Sequence, residues 1–332
     1  MAGRHASLCI SLSSLGEFDL IARYFTRPVS RNALGVGDDC ALLAPTPGMQ
    51  LATSSDMLVE GRHFLSTVAP DKLGHKALAV NLSDLAACGA QPLAFTLALA
   101  LPRVDETFLE GFSRGLLALA EAHGCELVGG DTTQGPLTLS ITVFGEVPPG
   151  QALLRSGAQA GDDLYISGQV GDARLALEAF RGHVNLSGDS FTRVRSAMEM
   201  PQPRVALGLA LRGVASSAID VSDGLLGDLA HVLKRSDVGA TVDADSLPLS
   251  ADLRAQSQKW QRTCGLSGGD DYELLFTAAP AQAARVAEAA RIAGVPVTHI
   301  GSIDAAPGLR LVDHHGKPVT FVSRSFDHFK PS

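Results

Sequence analysis

Apolar positions recur along the chain at spacings that separate helices from strands. Leu73, Ala77, Val80 and Cys88 stand three, four or eight residues apart, with Asp84 in the same register. That period predicts a helix over 70–88 with the Asp84 carboxylate on or beside its apolar face. Phe18, Ile21, Ala22 and Phe25 predict a shorter helix over 16–25, and residues 105–123 a long one with Asp105 near its N-cap. The unbroken apolar run 93–101 reads as a buried strand. Residues 126–128 and 137–147 read as strands on either side of a loop, Gly129-Gly130-Asp131-Thr132-Thr133. Residues 40–44 and 49–55 read as two strands around the turn Pro45-Thr46-Pro47-Gly48.

Pro148-Pro149-Gly150-Gln151 is the strongest break in the pattern. It divides the chain into a flexible tail at 1–15, a first domain at 16–148 and a second at 149–332. In the second, strands are expected at 163–167, 218–222, 240–243, 272–277, 297–300 and 309–312, and helices at 171–180, 204–212, 225–234 and 281–293. The polar stretch 181–200 leaves the type of element open. Mixed strands and helices in both halves mean α/β or α+β architecture in each.

Composition narrows the class. A chain of 332 residues, 45% hydrophobic and 19% charged, is globular and suits two domains. Its net charge of −8 argues against a nucleic-acid partner, which would need a basic patch. The five cysteines are odd in number and scattered, which fits a reducing cytoplasm rather than a disulfide framework. The apolar patch Leu8-Cys9-Ile10 is too short for a signal peptide, and the absence of a run of about 18 apolar residues argues against a membrane partner.

The chemistry lies in one recurring device. Gly35-Val36-Gly37-Asp38-Asp39, Thr53-Ser54-Ser55-Asp56, Asn81-Leu82-Ser83-Asp84, Gly129-Gly130-Asp131, Asp220-Val221-Ser222-Asp223-Gly224 and Gly268-Gly269-Asp270-Asp271 each set Asp beside Gly or Ser at the edge of an apolar segment. One such Asp is ordinarily a turn or cap residue. Six sites together suggest a Mg²⁺–nucleotide site, since Mg²⁺ takes a few carboxylates plus substrate phosphates. No Walker A sequence occurs, and Cys40 breaks any dinucleotide fingerprint after Gly35. His63 is open to a structural role or a substrate contact. Arg155 is open to simple exposure or a bidentate grip on phosphate, and Phe326 to docking the C-terminus or stacking on a ring. No Ser-His-Asp or Cys-His arrangement singles out a covalent nucleophile.

These motifs, with Gly16-Glu17-Phe18, the stretch 56–63, Lys76 to Ala87 and Ser267 to Leu274, resemble the thiamine-monophosphate kinases over residues 16 to about 329. That family lies in the aminoimidazole ribonucleotide synthetase-like superfamily. The resemblance implies an N-terminal PurM-like α/β domain forming a barrel across a homodimer, and a C-terminal PurM-like α+β domain. It implies ATP-dependent conversion of thiamine monophosphate to thiamine diphosphate by direct transfer. It implies that Asp39, Ser54, Ser55, Asp56, Asp84, Asp131, Asp220 and Asp223 hold several Mg²⁺ ions. Gly130, Asp131, Arg155 and Ser222 would contact ATP, and His63, Asp270 and Phe326 the substrate. Three positions depart from the family pattern: Ser55 where Thr is common, Asp270 where Glu is common, and Phe326 where Tyr or Trp is. A sister enzyme using ATP on another acceptor and a non-catalytic nucleotide-binding module are the alternatives.

Overall fold

A computed structural model describes residues 16–321. The expected tail at 1–15 and the ring of Phe326 lie outside the described residues. The first half opens with α1 (Glu17–Leu20), which runs on as one π-type turn, Ile21–Phe25. Then come β1 (Gln50–Val59), α2 (Pro70–Ala87), β2 (Gln91–Leu101), α3 (Glu106–Ala122), β3 (Glu126–Gln134) and β4 (Thr138–Val147). The strands form one sheet in the order β1-β4-β2-β3, with only β2 and β3 parallel. As the sequence suggests, Asp105 caps α3, its carboxylate accepting from the Phe108 amide at 3.0 Å.

The second half holds β5 (Asp163–Ser167), α4 (Asp172–Phe180), α5 (Gly188–Glu199), α6 (Val205–Ala210), β6 (Ser217–Asp220), α7 (Leu225–Ser236) and β7 (Gly239–Asp243). It continues with α8 (Ala251–Arg254), α9 (Gln258–Ser267), β8 (Leu274–Ala278), α10 (Ala283–Ala293), β9 (Val297–Asp304) and β10 (Gly308–Val312). Its sheet runs β10-β7-β9-β5-β8-β6 and is mixed. Both sheets are open in the single chain. The molecule is thus a two-domain α/β protein with mixed sheets.

Two expectations for the first half fail. Residues 40–44 form no strand; Leu42 makes only an isolated bridge to Leu34. The flanking prolines remove ladder donors, and no neighbouring strand runs alongside. Conversely, Gly129 to Thr133 is not a loop but the middle of β3. A bulge at Val128, between the Phe95–Leu127 and Thr96–Gly129 pairs, precedes the two glycines, which then pair in register with Thr96 and Leu97. Gly130 sits at φ 150°, where a Cβ would fall 1.8 Å from the Leu97 carbonyl oxygen, so only glycine lets the strand pass.

α2 is the spine. It is buried on nearly every side, unlike a surface helix. On one flank α3 approaches so closely that a Cβ on Gly115 would lie 1.8 Å from the Asp71 carbonyl oxygen. On the other, a Cβ on Gly208 of α6 would lie 2.0 Å from the Ala86 carbonyl oxygen. One apolar core therefore runs from Phe95, Phe112 and Ile141 through α2 to Leu207, Leu211 and Phe276. The two halves are joined by the helix that carries Asp84.

Candidate active site

β1 and α2 assemble the centre. Alternation along β1 turns Ser54 and Asp56 inward towards α2, while Thr53, Ser55 and Met57 face outward. The Ser54 hydroxyl donates to the Asp84 carboxylate, and the Asp56 amide donates to Asn81 Oδ1 at 3.1 Å. One turn of α2 faces the second half, where Ser83 Oγ donates to Asp220 Oδ2 at 2.7 Å. Ser55 takes the opposite side of the sheet and contacts Thr142 Oγ1 at 3.1 Å. Asp56, Asp84 and Asp220 are thereby gathered along one seam, and Ser55 is not.

The seam is electrostatically loaded. Burial pushes Asp56 up to about 6, with the Asp84 and Asp223 carboxylates adding to the rise. Burial also raises Asp84, against the Ser54 hydroxyl bond and the positive Arg155 nearby. Asp220 is pushed up to about 7 by burial and then by Asp84, with Ser83 opposing. Beyond β6, the amides of Ser222, Asp223 and Gly224 all donate to Asp228 Oδ2 at 3.1 Å, which fixes the turn into α7.

The adjoining turn carries Asp270. Its amide donates to the Ser222 carbonyl at 2.8 Å, and the Tyr272 amide to the Val221 carbonyl at 2.8 Å. Asp270 at φ 73° and Tyr272 at φ 53° are left-handed, a strained state for non-glycine residues. The buried ammonium of Lys76, on α2, pairs with Asp270 Oδ2.

A second group lies elsewhere in the first half. A pocket of about 650 Å³ is lined by Phe18 and Phe25, the Gly37-Asp38-Asp39 turn, and Gly129 to Thr132 of β3. That volume suits a cofactor-sized ligand. The turn is tethered from its base: the amides of Ser30, Arg31 and Asn32 donate to Glu126 at 2.6, 3.0 and 3.1 Å. Burial alone would raise the Glu126 carboxyl, but these bonds and the Ser30 hydroxyl hold it down at about 2.

The expected set is therefore divided. Asp39, Gly130 and Asp131 share the larger pocket. Arg155 instead lines a smaller one, about 220 Å³, with Asp84 and Asp220. Ser222 and Asp223 stand in the turn after Asp220. His63 follows β1, its Nδ1 accepting from the Val59 amide at 3.0 Å, a local bond that closes the turn. Lys76, Asn81, Ser83 and Glu126 were not foreseen as site residues. Lys76 could have been suspected, since a lysine on the apolar helix face needs a partner as much as Asp84 does.

Among the described residues no three His, Cys, Asp or Glu side chains converge tightly enough to enclose an ion. The seam's donors are carboxylates and hydroxyls, all hard oxygen. This set fits Mg²⁺, which relies on one or two carboxylates together with water and substrate phosphates rather than on an all-protein cage.

Two α/β units joined along an acidic seam, beside a pocket crossed by a glycine-rich strand, define a class of two-domain phosphate-handling proteins. Residues 37–147 match the AIR synthase related protein N-terminal domain, and residues 159–314 its C-terminal domain. The chain belongs to that family and, within it, to the thiamine-monophosphate kinases. It is 46% identical to the thiamine-monophosphate kinase of Salmonella typhimurium over 324 residues, covering 95% of this chain and 98% of the relative. A crystal structure of thiamine-monophosphate kinase from Stenotrophomonas maltophilia superposes with a TM-score of 0.82 at 46% identity, over 90% of this chain and 95% of that one. A structure of AaThiL complexed with AMPPCP and TMP superposes with a TM-score of 0.73 at 27% identity, over 94% of this chain and 99% of that one.

Proposed function

We propose that this protein transfers the γ-phosphoryl group of ATP to thiamine monophosphate, giving thiamine diphosphate and ADP. The observation that carries this is the 46% identity to a thiamine-monophosphate kinase along nearly the whole of both chains. The acidic seam and the 650 Å³ pocket supply a physical basis for it.

The chemistry is a single displacement. An oxygen of the acceptor phosphate forms a bond to the γ-phosphorus as the bond to the ADP oxygen breaks. Such a transfer needs positioning and charge neutralisation more than covalent help. Gly130, with no side chain, lets the β3 backbone come close to the nucleotide; Arg155 and Ser222 complete its contacts. Asp39, Asp131, Ser54, Asp56, Asp84, Asp220 and Asp223 are the residues that would hold Mg²⁺, and Ser55, on the outer face of the sheet, would reach an ion only on that side. Bound Mg²⁺ would offset the negative charge gathered where triphosphate meets acceptor phosphate. His63, Asp270 and Phe326 would contact thiamine monophosphate.

A homodimer is the proposed assembly. β1 and β3 are sheet edges, and the outward face of β1 leaves Leu51 and Met57 51% and 56% exposed. Joining such edges across a twofold axis would complete a barrel. The break at 148–151 sets the domain limits of this reading, with residues 16–148 forming the nucleotide end and 149–332 the second domain.

Incubation with ATP, Mg²⁺ and thiamine monophosphate should yield thiamine diphosphate. Absence of that product, with turnover on another acceptor, would indicate a sister enzyme. Direct transfer further requires that labelled ADP not exchange into ATP until thiamine monophosphate is added. Rapid exchange without acceptor would reveal a phospho-enzyme instead.

A further inference from the structure

Lys76 is the largest fully buried side chain among the described residues, 2% exposed, and its charge is not left unanswered. Nζ donates to the Met198 carbonyl at 3.0 Å and pairs with Asp270 Oδ2. Met198 lies in the last turn of α5, where carbonyls lack helical partners and the helix end is negative. Placing an ammonium here is costly unless both bonds are made. The Asp270 side chain remains 30% exposed, so part of its carboxylate faces outward.

The turn it grips is the strained one. Asp237, Asp270 and Tyr272 are the non-glycine residues at positive φ among those described, and two of the three flank Asp271. Gly269 packs so tightly that a Cβ would lie 2.4 Å from the Ser222 carbonyl oxygen. The turn is thus bonded to the 221–222 loop on one side and to α2 on the other. Such strain persists only where the surroundings impose it.

We infer that Lys76 is a positioning residue for the acceptor: through its ion pair it fixes the left-handed turn and aims the exposed part of the Asp270 carboxylate at the organic cation of thiamine monophosphate, whose amino N–H donors and ring charge both suit a carboxylate. This rests on the proposed function. Lys76 reaches the substrate only through Asp270, so its loss weakens acceptor binding and leaves nucleotide binding alone.

The test is a kinetic cycle of Lys76→Met, Asp270→Asn and the double variant, with melting curves recorded for each. Lys76→Met is expected to raise KM for thiamine monophosphate about tenfold or more and to change KM for ATP less than about twofold. Asp270→Asn should do the same, and the double variant should be no worse than the poorer single one, because the two act as a unit. Equal shifts in both KM values, or losses that multiply, would overturn the proposal and leave Lys76 a purely structural residue. If Lys76→Met does not fold, Lys76→Gln keeps a donor for Met198 without the charge and must show the same selective rise. If that variant also fails to fold, an unchanged acceptor KM in Asp270→Asn overturns the proposal and a selective rise upholds it. A wild-type protein that forms no thiamine diphosphate would instead refute the proposed function itself.

Discussion

Asp131 stands exposed on β3, facing the pocket that Asp39 also lines. Asp131→Asn keeps the shape and removes the charge. It should cut turnover at least about a hundredfold, or ~2.7 kcal/mol in the barrier, with the melting temperature unchanged; near-normal turnover at saturating Mg²⁺ would remove Asp131 from the site. Glu126 makes a different prediction. Its carboxyl is held at about 2 in the folded chain, below its ordinary 4.5. A depressed carboxyl stabilises the fold above its unfolded value and loses that effect as pH falls through the folded one. Glu126→Gln should therefore destabilise by about 1–2 kcal/mol at pH 7, and the gap from wild type should close as pH falls from about 5 towards 2. A gap that stays constant in melts across this range would mean that the charge is not what tethers residues 30–32. At this scale the sequence reveals residue types better than their grouping. Motif spacing marks Ser54, Ser55 and Asp56 alike, but strand alternation sends Ser55 to the other face. The family resemblance groups Arg155 with Gly130, and the two line separate pockets. Glu126 gives no local sign, because the backbone groups it binds are about a hundred residues distant.

The long elements were legible because their own periodicity reports burial: α2, α3, β2 and β4 stand close to where apolar spacing puts them. The errors have tertiary causes. β3 continues through Gly129 and Gly130 because β2 offers a parallel partner and a bulge, neither visible in a glycine pair. α5 and α9 were missed because they are polar, with short apolar faces: α5 packs mainly on α4, and α9 on α4, α7 and α8. α2 and α3 give a prediction whose sign distinguishes packing from propensity. Gly→Ala inside a helix ordinarily stabilises by up to ~1 kcal/mol. Gly115→Ala would place a methyl carbon 1.8 Å from the Asp71 carbonyl oxygen. Forcing the helices apart should cost about 1–3 kcal/mol net. A chemical-denaturation midpoint equal to or above wild type would show that the helices can slide without loss.

The two-domain fold could be expected from the chain, but its union could not. The sequence suggests a boundary at 148–151, whereas the core runs across it through α2. Since the seam draws on both halves, ligands that bind there should stabilise the whole. Mg²⁺ with a non-hydrolysable ATP analogue should raise the melting temperature in one cooperative step, with about 2.7 kcal/mol gained at a hundred times Kd. Two separate transitions, only one of them shifted, would show that the halves melt independently. Among the described residues no helix is long and apolar enough to cross a membrane. The proposed homodimer should sediment with twice the mass of one chain.

The ion pair of Lys76 with Asp270 spans 194 residues of sequence. A ribosome adding about 5–20 residues per second needs roughly 10–40 s to make that interval. Throughout that time α2 has emerged with a lysine meant for the interior, a serine awaiting Asp220, and an apolar flank awaiting α6. The first half of the nascent chain therefore cannot settle into its final form when its own sheet is complete. Until the second half is made, the partners of Lys76 and Ser83 and the cover for that apolar flank do not yet exist.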